Sequence, residues 1–317
     1  MGRMIGYNLV QIAFVLAFAP LYSGVLSRFK EIVQSKRGPS IFQPYRDLWK
    51  LFHKDEVVSS ETTWIFRITP YLVFVAPIFV TVLIPVLTDY PLAFAFMGDM
   101  LAAGFFLALA GFFAALSAVD TGNPYGPMGA SRTRMVGFLA EPVFMIVFFT
   151  VSFVAQSTIP YIVQQRWVSS AAAFLSPAHV LLLVAFFMLI LAEGGRIPVD
   201  NPSGHFELAM IDESKGLEFS GCSAALMKWG GQMKFLVLAC IFLNVLLAPW
   251  GLASGQSVLQ VLIAIPLILT KILVFATSLV MIETSLSKLR LFRISEFLGA
   301  AFIASVAAMI VSIFVAA

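Results

Sequence analysis

A single lysine stands in the middle of a long apolar run, Val258 to Ile282, at position 271, five residues after Pro266. An ionised side chain in hydrocarbon costs at least about 2.5 kcal/mol, so it needs a partner, a watery cavity or a chemical role. Lys271 lies too far from either end of the run to snorkel. Two readings remain open for it: a structural pair with a carboxylate on another helix, or a relay group that gains and loses a proton. Glu141 sits in a second apolar run and precedes Pro142, which frees the carbonyl of Phe138 from helical bonding. Its depth of roughly 8 Å also suits an interfacial carboxylate. Glu193 closes a third run and opens a connection that carries Asp200, Glu207, Asp212, Glu213 and Glu218. Glu283 follows Lys271 by about 18 Å of helical rise and reads as a helix-end carboxylate. Rows of Asp, Glu and Lys near the middle of a membrane are what a proton relay requires. The candidate path therefore comprises Glu141, Glu193, Asp200, Glu207, Glu213, Glu218 and Lys271. The acidic connection also reads as a solvated loop, since charge runs usually face water.

No redox centre is expected in this chain. Cys222 and Cys240 are too few for an iron–sulfur cluster, which takes about four thiolates, and their spacing fits no zinc pattern. His53, His179 and His205 lie far apart, and only His179 falls in an apolar segment, so they do not make a pair of axial haem ligands.

The elements that must position these residues follow from composition. The chain is 60% apolar and 12% charged, with a mean hydropathy of +0.94, whereas soluble proteins carry about 25% charged residues. A net charge of +3 is no nucleic-acid footprint. The fold class is therefore all-α, a polytopic membrane protein with about eight transmembrane helices of about 20 residues each. The runs lie near Met4 to Leu26, Pro70 to Leu87, Met97 to Val119, Val136 to Ala155, Pro177 to Leu191, Met233 to Leu247, Val258 to Ile282 and Phe297 to Val315. The first is too long for a signal-peptide core of about 7 to 15 residues. Lysine and arginine crowd the odd-numbered connections, and the even ones hold only Arg166. That bias predicts an inner-membrane protein with odd loops in the cytoplasm and both termini outside. Residues 1–317 are expected to form one transmembrane domain with cytoplasmic loops at about 27–69 and 193–232.

Within the first of those loops, Ile41, Tyr45, Leu48, Trp49 and Phe52 recur at helical spacing with Arg46, Asp47, Lys50 and Lys54 opposite. The pattern predicts an amphipathic helix at the membrane surface. It serves either as an anchor or as a docking platform for a cytoplasmic partner. Arg37, Arg46, Asp47, Lys50, Arg132 and Arg134 are the candidate partner-facing residues.

Several motifs carry a resemblance. They are Lys36-Arg37-Gly38-Pro39 followed by Gln43 to Leu51, Asp120-Thr121-Gly122-Asn123-Pro124, and Gly129-Ala130-Ser131-Arg132 leading to Glu141-Pro142. The most specific is Arg196-Ile197-Pro198-Val199-Asp200-Asn201-Pro202, continuing through Glu207-Leu208 to Glu218-Phe219-Ser220-Gly221. Over essentially its whole length the chain resembles the complex I subunit 1 family. Ser203 and His205 stand where the complex I form usually has acidic residues, and the Asp120-Thr121-Gly122 turn and Met227-Lys228-Trp229 resemble the formate hydrogenlyase and hydrogenase-4 branch. The resemblance implies a non-catalytic membrane subunit with no cofactor of its own. It implies partners that carry a nickel–iron centre and iron–sulfur clusters, namely large and small hydrogenase-type subunits and an iron–sulfur subunit. Antiporter-like membrane subunits that move protons or sodium complete the implied complex. Two alternatives are a complex I type quinone-site subunit and a stand-alone secondary transporter. The latter is expected to show repeated halves, and no internal repeat is apparent.

Overall fold

The computed structural model of the chain describes residues 2–90, 98–169, 174–200, 211–254 and 258–316. Among them the architecture is all-α, without a named strand. In chain order the helices are α1 (Gly2–Val33), α2 (Gln43–Phe52), α3 (Trp64–Leu83), α4 (Met100–Asp120), α5 (Tyr125–Ala155), α6 (Pro160–Ser169), α7 (Pro177–Glu193), α8 (Gly221–Cys240), α9 (Val258–Ser285) and α10 (Arg293–Ala316). A 3-10 turn, Glu213–Gly216, precedes α8, and a π-helical stretch, Ile241–Leu247, prolongs it. Seven of these helices among the described residues are long and apolar enough to cross a membrane. The eighth apolar helix, α7, has 17 residues, about 25 Å against a hydrocarbon core of about 30 Å. Its Leu182, Ala185, Phe186 and Leu189 are fully buried, packed beside α5 and α10. Protein covers most of α7, leaving Val180 and Val184 of one face exposed, which reduces the need to match the bilayer.

Every expected apolar segment is helical, but three helices begin well before the expected start. α3 begins at Trp64 behind the cap Thr63, α5 at Tyr125 and α8 at Gly221. Hydropathy locates the part of a helix that suits hydrocarbon; Arg132, Arg134, Lys228 and Lys234 lower it without breaking the helix. The reverse holds at the far end of α3, which stops at Leu83. Pro85 forces the preceding Ile84 into extended backbone (φ −104°, ψ 153°). α6 lies in a connection expected to be loop, yet it buries Tyr161, Val163, Gln164 and Trp167.

The expected amphipathic helix is α2. It turns Leu48 inward and leaves Phe42 and Trp49 exposed, and it lies against α1 and α8. Gly24 of α1 makes that approach possible, since a Cβ there would sit 2.0 Å from the Ile41 carbonyl oxygen. Gly230 does the same for α3 and α8, where a Cβ would meet the Val73 carbonyl oxygen at 2.6 Å.

Two of the long helices give way to non-helical backbone, α3 after Leu83 and α8 after Leu247, and the two extended stretches pair. Ala253 N donates to Leu87 O at 2.9 Å and Asp89 N to Ala253 O at 3.1 Å. Such backbone persists at membrane depth only where protein groups satisfy it. Gln11 of α1 donates to Thr81 O (2.5 Å) and Ile84 O (3.0 Å). Tyr161 donates to Ile84 O at 3.0 Å, and Asn244 donates to Pro85 O and Val86 O at 3.1 Å each.

Candidate functional site

The carboxylates expected on α5 and α7 meet around one ion pair. Glu193, the last residue of α7, accepts a hydrogen bond from Lys234 Nζ at 2.6 Å. Lys234 is the fourteenth residue of α8, about 20 Å of rise from its start. Both side chains are roughly one quarter exposed, to cavities within the bundle.

Two cavities flank the pair. The smaller, about 80 Å³, is lined by Thr133, Arg134 and Glu141 of α5, Glu193, Asp200, Asp212, Lys215 and Lys234. It has room for a few water molecules. The larger, about 780 Å³, opens among α1, α2, α3, α4 and α8 and is lined by Tyr22, Ser27, Gln43, Asp47, Arg196, Glu213, Lys228 and Gln232. Glu193, Asp212, Lys215 and Lys234 border both. They form the partition between a wide chamber and a smaller pocket. Glu141 stands on the far side of the pocket, paired with Arg134 Nη2 at 3.2 Å. Two helical turns separate the two residues, which places them on one face of α5. Arg134 also lies over the Phe112 ring, 5.7 Å from its centroid.

Asp212 is clamped by Lys215 Nζ at 2.5 Å. Burial pushes its carboxyl up, but the charges of Lys215 and Lys234 outweigh that and hold it below the usual carboxylate range. Charges of both signs within hydrogen-bond reach of water-sized cavities can pass protons, provided each group exchanges its partners.

The remaining expected residues divide. Asp200 is buried and saturated: Oδ2 accepts from Ile211 N (3.1 Å) and Asp212 N (3.0 Å), and Oδ1 from Lys288 Nζ (2.7 Å). It clips the start of the acidic connection to its end. Glu218 is exposed and accepts from Asn123 Nδ2, which ties α8 to the α4–α5 turn. Glu213 begins the 3-10 turn, exposed at the chamber. Glu207 lies outside the described residues. Lys271 is apart from the carboxylate group: its Nζ bonds Asn244 Oδ1 (3.3 Å), Ala248 O (2.7 Å) and the Trp250 carbonyl. Of the partner-facing residues, Arg37, Arg46 and Lys50 are exposed. Asp47 accepts from Gln43 at 2.8 Å and borders the chamber. Arg132 reaches Met128 Sδ at 3.3 Å, and Arg134, also among the partner-facing candidates, pairs with Glu141 at the pocket wall.

Sequence reasoning missed Lys234, which it placed at the edge of a loop because it began α8 twelve residues too late. It also passed over Glu283, which is no ordinary helix end. Glu283 is buried, 3.5 Å from both Lys30 of α1 and Arg196, and Arg196 stacks over Phe235 at 4.7 Å. The apolar run that follows Lys234, Phe235 to Cys240, and the Ala224 to Met227 stretch before it were the available signal. Among the described residues no group of three or more His, Cys, Asp or Glu is placed to hold a metal ion.

Residues 7–314 match the NADH dehydrogenase family. Formate hydrogenlyase subunit 4 of Escherichia coli K12 is 33% identical over 289 residues, covering 90% of this chain and 91% of that protein. Hydrogenase-4 component C of the same organism is 32% identical over 289 residues, covering 90% and 89%. Among solved structures, a chain of the membrane-bound sulfane sulfur reductase, an archaeal respiratory membrane complex, superposes with a TM-score of 0.85 at 17% identity, covering 98% of this chain and 100% of that one.

Proposed function

We propose, from the premise that this chain belongs to the NADH dehydrogenase (complex I subunit 1-like) family, that it is the membrane-embedded coupling subunit of a hydrogenase-type complex. It is a multi-pass membrane protein related to components of formate hydrogenlyase and hydrogenase-4. In this reading it anchors a peripheral arm whose subunits hold the nickel–iron centre and iron–sulfur clusters. It passes protons, or exchanges them for sodium, toward antiporter-like membrane subunits. The end that carries α2 and the Glu193–Lys234 pair is the cytoplasmic one, with both termini opposite. A cysteine at Ser40 is then labelled from the cytoplasmic side alone, and one at Ser169 from outside alone.

The observation that carries the reading is the Glu193–Lys234 pair standing between two cavities. A lysine far along an apolar helix would serve mere anchoring equally well as a leucine. Its contact with a carboxylate and with space for water gives it exchangeable protons on both sides. Single substitutions strand the partner charge, so the decisive variant removes both together. In membrane vesicles, Glu193→Gln/Lys234→Met is expected to leave the complex assembled while vesicle acidification falls at least about tenfold. Full acidification in the assembled double variant removes the relay role.

A further inference from the structure

The end of the π-helical stretch and the residues after it free the carbonyls of Leu246, Ala248, Pro249 and Trp250, which are met by side chains from three other helices. His179 of α7 contacts Leu246 O at 3.0 Å, and Gln164 of α6 donates to Pro249 O at 2.6 Å. Ala248 O and the Trp250 carbonyl both go to Lys271, midway along α9. An ammonium has three protons and no acceptor, and Lys271 Nζ meets three oxygens, the third being Asn244 Oδ1. A neutral amine would instead turn its lone pair on one of those oxygens. Asn244 cannot flip to relieve this, because its Nδ2 is committed to Pro85 O and Val86 O. The cradle also lies at the C-terminal end of α8, where the helix dipole favours a positive charge. Gly251, at φ +84°, turns the chain beside Lys271, where an added Cβ would lie 3.8 Å from Lys271 Cε.

Two backbone carbonyls and an amide oxygen at the end of an interrupted helix form the oxygen set that also coordinates a small alkali cation. We propose that this turn is a monovalent-cation site whose resident cation is the chain's own Lys271 ammonium, tethered from α9. Sodium or potassium takes its place when the ammonium is removed. In the intact chain the tethered charge bridges the two non-helical stretches, through Asn244 to Pro85 and Val86 and directly to Ala248 and Trp250. The inference is independent of the Glu193–Lys234 relay, and its test reads stability rather than proton transport.

The test compares the purified full-length Lys271→Ala chain in sodium, potassium and choline chlorides at equal ionic strength. Its melting temperature is expected to rise by at least about 3 °C in sodium or potassium relative to choline. The unaltered chain, its site already filled, is expected to show no such difference. Lys271→Met, whose apolar chain fills the space the ammonium leaves while Asn244 keeps its bonds to Pro85 and Val86, should show no rise, which separates the cradle from a general salt effect. If Lys271→Ala folds only in sodium or potassium medium, recovery in that medium is itself the supporting result. Identical behaviour in all three salts, failure to fold in all three included, overturns the proposal. So does an equal rise in Lys271→Met.

Discussion

Lys234 and Lys271 both reach into this bundle, and their surroundings differ in kind. Lys234 is held by a single carboxylate, Glu193, with further charges at Glu141, Asp212 and Lys215 and with cavities on either side. Lys271 is held by three uncharged oxygens in a region where side chains have already taken the freed carbonyls. The first arrangement leaves donors and acceptors over and gives them water-sized space, so partners can be exchanged. The second assigns each proton a fixed oxygen and holds two extended stretches of chain together. Burial of a charge therefore does not by itself mark a relay; what matters is whether its neighbours are saturated.

The largest expected effect lies in the saturated region. Asn244 is buried and serves Pro85, Val86 and Lys271 at once. Asn244→Leu strands two carbonyls and one ammonium proton, each worth about 1–3 kcal/mol. Little folded protein should reach the membrane, as measured by immunoblot of membrane fractions, whereas Glu193→Gln/Lys234→Met should accumulate normally. Wild-type abundance of Asn244→Leu would break the distinction between the two regions. A smaller effect is expected at the surface, where Arg37 and Arg46 are exposed. Reversing both charges should leave this subunit in the membrane. Co-purification of its peripheral partners should weaken, and the more so as salt rises, since exposed pairs contribute only about 0–1 kcal/mol each. Unchanged recovery of partners at every salt concentration would remove those arginines from the docking surface.

Much of this arrangement was legible because lipid constrains sequence so strongly. The positions of Glu141 and Lys271 within apolar runs, and of Glu193 at the end of one, marked them as unusual, and the apolar run from Pro177 to Leu191 and the amphipathic spacing of α2 gave those elements directly. The starts of α5 and α8 were not legible, since Arg132, Arg134, Lys228 and Lys234 depress hydropathy without ending a helix. That displacement hid Lys234, the partner Glu193 required. The pairing of 84–90 with 248–254 depends on residues far apart in the chain and left no local signature beyond Pro85 and Pro249. Spacing could not distinguish a saturated carboxylate such as Asp200 from an available one such as Glu193, because the distinction rests on backbone N–H groups brought in by the fold.

The smallest expected effect concerns acid and the partition between the two cavities. Asp212 titrates below the usual carboxylate range because Lys215 and Lys234 outweigh its burial. A carboxylate depressed in the folded state adds stability that is complete above its unfolded pKa of about 3.9 and is lost as pH falls through the lower, folded value. Its side chain is 49% exposed, so solvent screening limits the contribution to about 1 kcal/mol or less, a factor of about five in local opening. Amide exchange across residues 211–220, corrected for intrinsic rates, should therefore hold steady from pH 7 to about 5 and quicken below about pH 4. In Asp212→Asn the quickening should already be present at neutral pH, with the Asp212 step missing. Asp200 also accepts from the backbone of this segment, so a residual acid response can survive the substitution, and the measured quantity is the difference between the two profiles. If the profiles coincide from pH 7 to 3, Asp212 is not electrostatically tied to Lys215 and Lys234, and the partition between the two cavities loses one of its charged members.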